Sequence, residues 1–165
     1  MVFRMAAAAA ALALLPASAQ AQQNEIDLEN VITSFDRAFI ERLTAFYNGT
    51  IVREDGEHEY QIYFNGDPTS IYYRLYGCDE GRETTGCIGM HLQIQDTLVP
   101  GADAGEFIES INEWNYDARV GAISLNDRDI RYSTYFVADY GISEGSIVVE
   151  MQAFMSNWNS ILNPE

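Results

Sequence analysis

The chain contains no lysine. Its 165 residues include nine arginines against 25 aspartates and glutamates, which gives a formal net charge of −16 at pH 7. A field of this sign repels nucleic acid and anionic lipid headgroups, so neither is expected as a partner. The charge favours a well-solvated surface and attracts basic or cationic partners.

Histidine is also scarce, with only His58 and His91 in the sequence. Nucleophilic catalysis needs a serine or cysteine beside a base and an orienting carboxylate, and no such nucleophile is evident near His91. The acidic segment 54–59 and the pair Asp127 and Asp129 match neither a calcium loop nor a zinc spacing. We therefore expect no enzymatic activity, no cofactor and no metal site.

No apolar run is long enough to span a bilayer. The longest, Met5–Leu15, follows one arginine and precedes a proline, and two triplets of the form Ala-x-Ala come next. This arrangement is typical of a secretory signal peptide. We expect a signal peptide over residues 1–21, cleaved between residues 19 and 21. A single domain over residues 22–165 would then be exported to the periplasm or secreted.

Only two cysteines are present, Cys78 and Cys87. Their spacing does not resemble a redox Cys-x-x-Cys pair, and no second pair of metal ligands accompanies them. In an oxidising compartment, two nearby cysteines usually form a disulfide. The sequence therefore predicts a structural bridge, which should stabilise the fold by about 2–3 kcal/mol through restriction of the unfolded chain.

Two segments flanking the cysteine loop, Ile71–Cys78 and Cys87–Gln95, alternate between apolar and polar residues and are predicted to be paired antiparallel strands. Pairing the two cysteines fixes the register. On the outer face it joins Tyr76 to Gly89, Arg74 to His91, and Tyr72 to Gln93. On the core face it joins Leu75 to Met90, Tyr73 to Leu92, and Ile71 to Ile94. Both cysteines are expected on the outer face and Ile88 on the core face.

The remaining chain predicts three helices and three further strands. The first helix has an apolar stripe from Leu28 to Phe46, with Asn24 as its cap and Asn48-Gly49 as its end. The strands are Tyr60–Phe64, Arg119–Leu125 and Asp129–Val137, with turns at Asn65–Pro68 and Asn126-Asp127. The second helix follows Asp103 and has the stripe Phe107, Ile108, Ile111 and Trp114. The third follows Ser143 and has the stripe Ile147, Met151, Phe154, Trp158 and Ile161, before Pro164.

This order, α-β-β-β-α-β-β-α, predicts an α+β fold in which helices cover one face of a five-stranded antiparallel sheet. The second helix ends in Asn112, Trp114 and Asn115. We expect Trp114 to anchor that helix in the core and the asparagines to bond its free carbonyls.

Two stretches carry a resemblance to a known family. They are Leu75–Gly81, with Cys87 after it, and Ile111–Asn115, which runs into the strand near Arg119. Together with the element order they resemble the YbjN-domain family, described as bacterial sensory-transduction regulators. That family is similar in fold to type III secretion chaperones. The resemblance implies a binding domain of chaperone or adaptor type, without catalytic residues.

The outer face of the predicted meander is the candidate partner-binding surface. Tyrosine and arginine are enriched at interface hot spots. Its residues are Tyr63, Tyr72, Arg74, Tyr76, His91 and Gln93. Two other interpretations remain open, namely an ordinary solvent face and a face covered by a second copy of the chain. The sequence thus favours an exported, non-enzymatic module that binds another protein. The alternative is an envelope hydrolase or metal-dependent enzyme whose site the sequence does not reveal.

Overall fold

The computed structural model describes residues 25–55, 59–64, 70–78, 86–117 and 120–162. Several features predicted from the sequence lie outside these residues. They are the signal peptide, the cap at Asn24, the turn at Asn65–Pro68, His58, Arg119 and Pro164.

The described residues form an α+β fold with three helices and two antiparallel sheets. The helices are α1 (Arg37–Phe46), α2 (Ala104–Asp117) and α3 (Glu144–Leu162). The strands are β1 (Val31–Ile32), β2 (Gly49–Asp55), β3 (Glu59–Phe64), β4 (Ser70–Tyr76), β5 (Gly89–Thr97), β6 (Ala122–Asn126), β7 (Asp129–Val137) and β8 (Ile142–Ser143). The main sheet has the order β2-β3-β4-β5-β7-β6, and β1 pairs with β8 in a small second sheet.

The main sheet therefore has six strands, and the prediction of five was wrong. The main-sheet strand that was not predicted from the sequence is β2, whose last two residues belong to the acidic segment 54–59. Its alternation is broken by a register shift between Ile51 and Arg53. It also ends in charged residues, which are depleted in strands. Its pairing with β3 is nevertheless regular before that bulge, where Ile51 lies opposite Ile62.

The start of the first helix was also predicted wrongly. Asp36 is its N-cap and accepts a hydrogen bond from the Phe39 N–H at 2.7 Å, so α1 begins at Arg37, nine residues after Leu28, where the predicted apolar stripe begins. Leu28 and Val31 are exposed rather than packed, and the segment before the cap forms β1. An N-cap residue has a non-helical backbone conformation, so the helix begins after Asp36 even though apolar residues recur at helical spacing before it.

The β4–β5 register is confirmed at all six predicted pairs, from Ile71 opposite Ile94 to Tyr76 opposite Gly89. Cys78 and Cys87 are bonded, with an Sγ–Sγ distance of 2.07 Å. The predicted faces are wrong beyond Gly89, since Cys87 is buried and Ile88 is exposed. There the ladder has ended, and the Cys87 backbone instead exchanges two hydrogen bonds with Phe35.

All three helices contribute to a core against one face of the main sheet, here called the inner face. Tyr132 of β7 is at its centre, stacked on Phe154 with ring centroids 4.2 Å apart and edge-on to Trp114 at 5.3 Å. The stripe of α3 is confirmed, with Ile147, Met151, Phe154 and Trp158 buried. Ser143 caps that helix by accepting the Ser146 N–H at 3.0 Å.

The second helix is capped as predicted, since Asp103 accepts from Gly105 and Glu106. Ile108 is exposed, so it does not belong to the buried stripe. Trp114 is partly buried against the core, which fits the predicted anchor role.

The role predicted for the two asparagines was wrong. Asn112 is exposed, and Asn115 bonds strand β6 rather than its own helix. Its side chain donates to the Ile123 carbonyl and accepts the Ile123 N–H, both at 2.8 Å. Because Asn115 forms hydrogen bonds with both the N–H and the carbonyl of Ile123, it protects the edge strand β6 from pairing with another chain.

The β6–β7 hairpin is displaced by one residue from its prediction. Asn126 still pairs with Asp129, so the two turn residues are Asp127 and Arg128. Asp127 has the left-handed φ of 58° that such tight turns require. No helix in the described part of the chain is long and apolar enough to cross a membrane.

Candidate functional site

The face of the main sheet opposite the helices, here called the outer face, contains all six predicted site residues. Strand alternation explains this, because Tyr60, Ile62, Tyr73, Leu75 and Leu92 are all buried on the inner face. The residues between them must point the other way. Tyr63, Tyr72 and Tyr76 are 36–40% exposed, Arg74 is exposed, and His91 and Gln93 are half-buried.

Five of the six residues line one shallow depression of about 430 Å³ in the outer face. They are Tyr72, Arg74, Tyr76, His91 and Gln93. Tyr63 does not line it and lies nearer the sheet edge, opposite Thr50 and Ser70. Four further residues complete the polar lining, namely Glu59, Gln61, Gln95 and Arg131.

The first row of outer-face side chains contains Glu59, Arg74, His91 and Tyr135, which lie opposite one another in successive strands. Arg74 forms an ion pair with Glu59, and both side chains remain about half exposed. A hydrogen bond to Tyr76 and the charge of Glu59 raise the pKa of Arg74. Since the pair is exposed, it contributes little to stability and is available to a ligand.

An aromatic cluster of Tyr76, His91 and Tyr135 adjoins this row. Tyr76 lies 6.2 Å from His91 and 6.0 Å from Tyr135 between ring centroids. Gly89 makes the cluster possible, because a Cβ there would lie 2.1 Å from the Tyr135 hydroxyl oxygen. Burial, followed by the charge of Arg74, lowers the pKa of His91. Both effects favour the neutral imidazole, which can donate one hydrogen bond and accept another.

The second row is made of uncharged hydrogen-bonding groups. It contains Gln61, Tyr72, Gln93 and Ser133, again opposite one another across four strands. The Gln61 amide donates to the Tyr72 hydroxyl at 3.1 Å, which holds the phenol at the rim of the depression. Amides and phenols in fixed positions offer directional donors and acceptors to a ligand.

Arg131 contributes the second positive charge of the depression. It is exposed on β7 and lies opposite Gln95 of β5. Among the described residues, no carboxylate lies within ion-pair distance of it. The depression thus has two guanidinium groups and one carboxylate, in a chain whose overall charge is −16.

Sequence reasoning missed five residues of this surface, namely Glu59, Gln61, Gln95, Arg131 and Tyr135. Counting outward from the turn at Asn65–Pro68 would have placed Gln61 opposite Tyr72. Arg131 and Tyr135 could not be placed in the same way. Their strand pairs with β5 across α2 and β6, and no local turn fixes that register.

The side chains that line the depression are mainly phenols, amides and guanidinium groups, with one imidazole and one carboxylate. Across the ladder, His91 has Arg74 and Tyr135 as neighbours, neither of which is an acyl-transfer nucleophile. Within the described ranges, no group of three or more His, Cys, Asp or Glu side chains could hold a metal ion. The surface combines exposed aromatic area with directional donors, which is the composition of an interface.

The disulfide lies at one end of this surface, just beyond the last β4–β5 pair. It fastens the hairpin that contains Arg74, Tyr76 and His91, and it bonds through Cys87 to the segment before α1. A bonded cysteine pair fits an oxidising compartment.

Comparison with known proteins assigns neither a family nor a function to the chain. No protein-family model matches the chain, and a search of curated proteins finds no match either. The interpretation of the outer face therefore rests on its own residues.

Proposed function

We propose that the chain is an exported, non-enzymatic module that binds another protein through the outer face of its main sheet. The observation that supports it best is the asymmetry of the sheet. All three helices pack against the inner face, while the outer face exposes tyrosines, arginines and glutamines around a depression. Tyrosine provides large contact area at low entropic cost, and arginine adds directional donors.

The resemblance to the YbjN-domain family and to secretion chaperones belongs to the same proposal. An adaptor of that type has a rigid fold and an open surface, and it needs no catalytic group. The disulfide supports the exported location, and the layout of residues 1–21 supports a cleaved signal peptide. Intact mass of the protein from its native host should then correspond to a start near Gln20 or Gln22. Recovery of the full-length chain from the cytosol would contradict export.

The test of the binding surface is a comparison of two double variants. Tyr72→Ser with Arg74→Ser alters the depression, and Val149→Ser with Arg37→Ser makes the same charge change on exposed residues of the helical side. Affinity capture from the periplasmic fraction should lose its co-purifying proteins with the first variant and keep them with the second. Thermal stability should change little in both, as surface substitutions usually do.

Two results would count against the proposal. If the depression variant captures the same proteins as the parent, the binding surface lies elsewhere on the molecule. If the depression variant unfolds while the helical-side variant does not, the outer face is buried in the native protein. A second copy of the chain would then be the first candidate to cover it, and sedimentation at several concentrations would detect that dimer.

A further inference from the structure

The charge distribution of the depression indicates what kind of protein segment it takes. This inference rests on the proposed function. We propose that the depression binds an acidic peptide segment of the partner, with Arg131 as the main anchor for a carboxylate. Gln95 lies opposite it on β5 and supplies a further donor.

The first support is how the arginines are used elsewhere. The chain has nine arginines and 25 acidic residues, so carboxylates outnumber arginines by more than two to one. Among the arginine side chains that the structure describes, Arg37, Arg42 and Arg74 each pair with a carboxylate, and Arg128 donates to two backbone carbonyls. Arg131 alone among these has no such partner, and it lines the depression.

The second support is the chemistry around Arg131. A guanidinium binds a carboxylate through two parallel hydrogen bonds, which are charge-assisted and stronger than neutral ones. The amide of Gln95 lies directly across the ladder and can donate to the same group. Glu59 is the one carboxylate that lines the depression, and it is already paired with Arg74. Within the depression, an incoming carboxylate at Arg131 therefore meets donors, while the exposed Asp129, two residues earlier on the same face of β7, lies outside the lining.

The third support is the spacing of the two arginines. Arg74 on β4 and Arg131 on β7 lie two strand spacings apart, with β5 between them, and are offset by four residues along the strand direction. That places their Cα atoms on the order of 16 Å apart. About five residues of extended peptide cover this distance. A short acidic segment can therefore contact both ends of the depression, with Tyr72 and Gln93 between them.

The overall charge of −16 gives this proposal a distinctive salt dependence. At low ionic strength the field of the whole protein opposes an acidic partner. At about 0.15 M salt the Debye length is roughly 8 Å, so distant charges are screened while a direct guanidinium–carboxylate contact is screened much less. Binding of an acidic peptide should thus strengthen from low to physiological salt. A basic peptide attracted by the acidic surface would show the opposite trend.

The experiment uses the mature chain and two synthetic peptides. One is an octapeptide of alternating threonine and glutamate, and the matched control has glutamine in place of glutamate. Binding is followed by NMR chemical-shift changes on the protein. We expect the glutamate peptide to bind at the depression and to lose about tenfold in affinity with Arg131→Gln. Arg37→Gln makes the same charge change on the helical side and should leave the affinity within about twofold.

Several results would overturn the inference. They are equal affinity for the two peptides, equal effects of Arg131→Gln and Arg37→Gln, shifts confined to residues outside the depression, and no binding of the glutamate peptide. Binding of a neutral oligosaccharide such as maltohexaose in place of the peptide would assign the depression to glycans. The proposed function has a separate test. If captured proteins still depend on Tyr72 and Arg74 while the peptide fails, the outer face binds protein by other chemistry.

Discussion

Two neighbouring tyrosines of β4 show how differently the two faces of the sheet are used. Tyr73 is 1% exposed on the inner face, where its hydroxyl lies 3.5 Å from the Met151 sulfur. Tyr72 is 36% exposed on the outer face and accepts a hydrogen bond from Gln61. The residue type is the same, so strand parity decides whether a tyrosine holds the fold together or is available to a partner.

The ion pairs on the two sides of the sheet also differ in burial. On the helical side, the Glu144 carboxylate is 1% exposed and accepts from the Arg42 guanidinium at 2.7 Å, the Asp27 N–H at 2.9 Å and the Asn30 amide at 3.1 Å. It ties the N-terminal segment and α1 to the start of α3. On the outer face, Arg74 and Glu59 pair in the open. Inner-face contacts should therefore determine stability, and outer-face contacts should determine binding.

The largest expected difference is between alanine variants of the two tyrosines. Tyr73→Ala leaves a cavity beneath α3 and should lower the free energy of unfolding by about 3–5 kcal/mol. Tyr72→Ala should lower it by less than about 1 kcal/mol, since the side chain is in contact with solvent. Urea denaturation of both variants measures the difference. Similar losses would mean that the outer face is buried in solution.

The next difference is between the ion pairs. Arg42→Gln leaves the buried Glu144 carboxylate with two weaker donors and should lower the free energy of unfolding by about 3 kcal/mol. Arg74→Gln should change it by at most about 1 kcal/mol, because that pair is exposed. The two variants have the same net charge, so thermal denaturation compares them directly. If Arg74→Gln proved the more destabilising, the contrast between the faces would be refuted.

The disulfide fastens the β4–β5 hairpin of the outer face and, through Cys87, connects it to the segment before α1. Its removal should have an intermediate effect on the free energy of unfolding. Replacing both cysteines by serine should lower the free energy of unfolding by about 2–3 kcal/mol, mainly because the unfolded chain regains freedom. Peptide mapping without reduction should show a single bridge between Cys78 and Cys87 in the exported protein. Free alkylation of both thiols in that protein would show that the bridge does not form.

The last expected effect appears only at alkaline pH. Burial raises the pKa of Tyr73 and Tyr132 and raises that of Tyr47 to about 12. An unfolded tyrosine ionises near pH 10, so above that pH the unfolded state binds fewer protons than the folded one. The contribution of these tyrosines to stability should be constant below about pH 10 and fall as the pH rises toward 12. Tyr47→Phe should reduce that fall, and an unchanged slope in urea titrations would contradict the assignment.

Local alternation and turn chemistry were enough to predict much of the fold. The β4–β5 register followed from one cysteine pair, and the caps at Asp103 and Ser143 followed from residue type. The predictions that were wrong concern contacts between residues far apart in the sequence, or segments whose local pattern is ambiguous. The stripe before Asp36 has helical spacing, yet backbone pairing with β8 and with Cys87 determines its conformation. Strand β2 was hidden by a bulge and by its charged end.

The candidate site was predictable to the same extent. The outer-face positions of β4 and β5 follow from their hairpin, so Tyr72, Arg74, Tyr76, His91 and Gln93 were placed correctly on that face. The contribution of β7 depends on a pairing between strands that are far apart in the sequence. Its register comes from packing of the whole sheet rather than from a turn, and so Arg131 and Tyr135 were missed.

The most direct test of the account is photo-crosslinking from single outer-face and helical-side positions in living cells. A benzophenone amino acid at position 72 probes the outer face, and the same group at position 149 probes an exposed site on α3. The account predicts a cross-linked adduct to a different protein from position 72 and none from position 149. Adducts from position 149 alone, or adducts from position 72 only to a second copy of the chain, would contradict it.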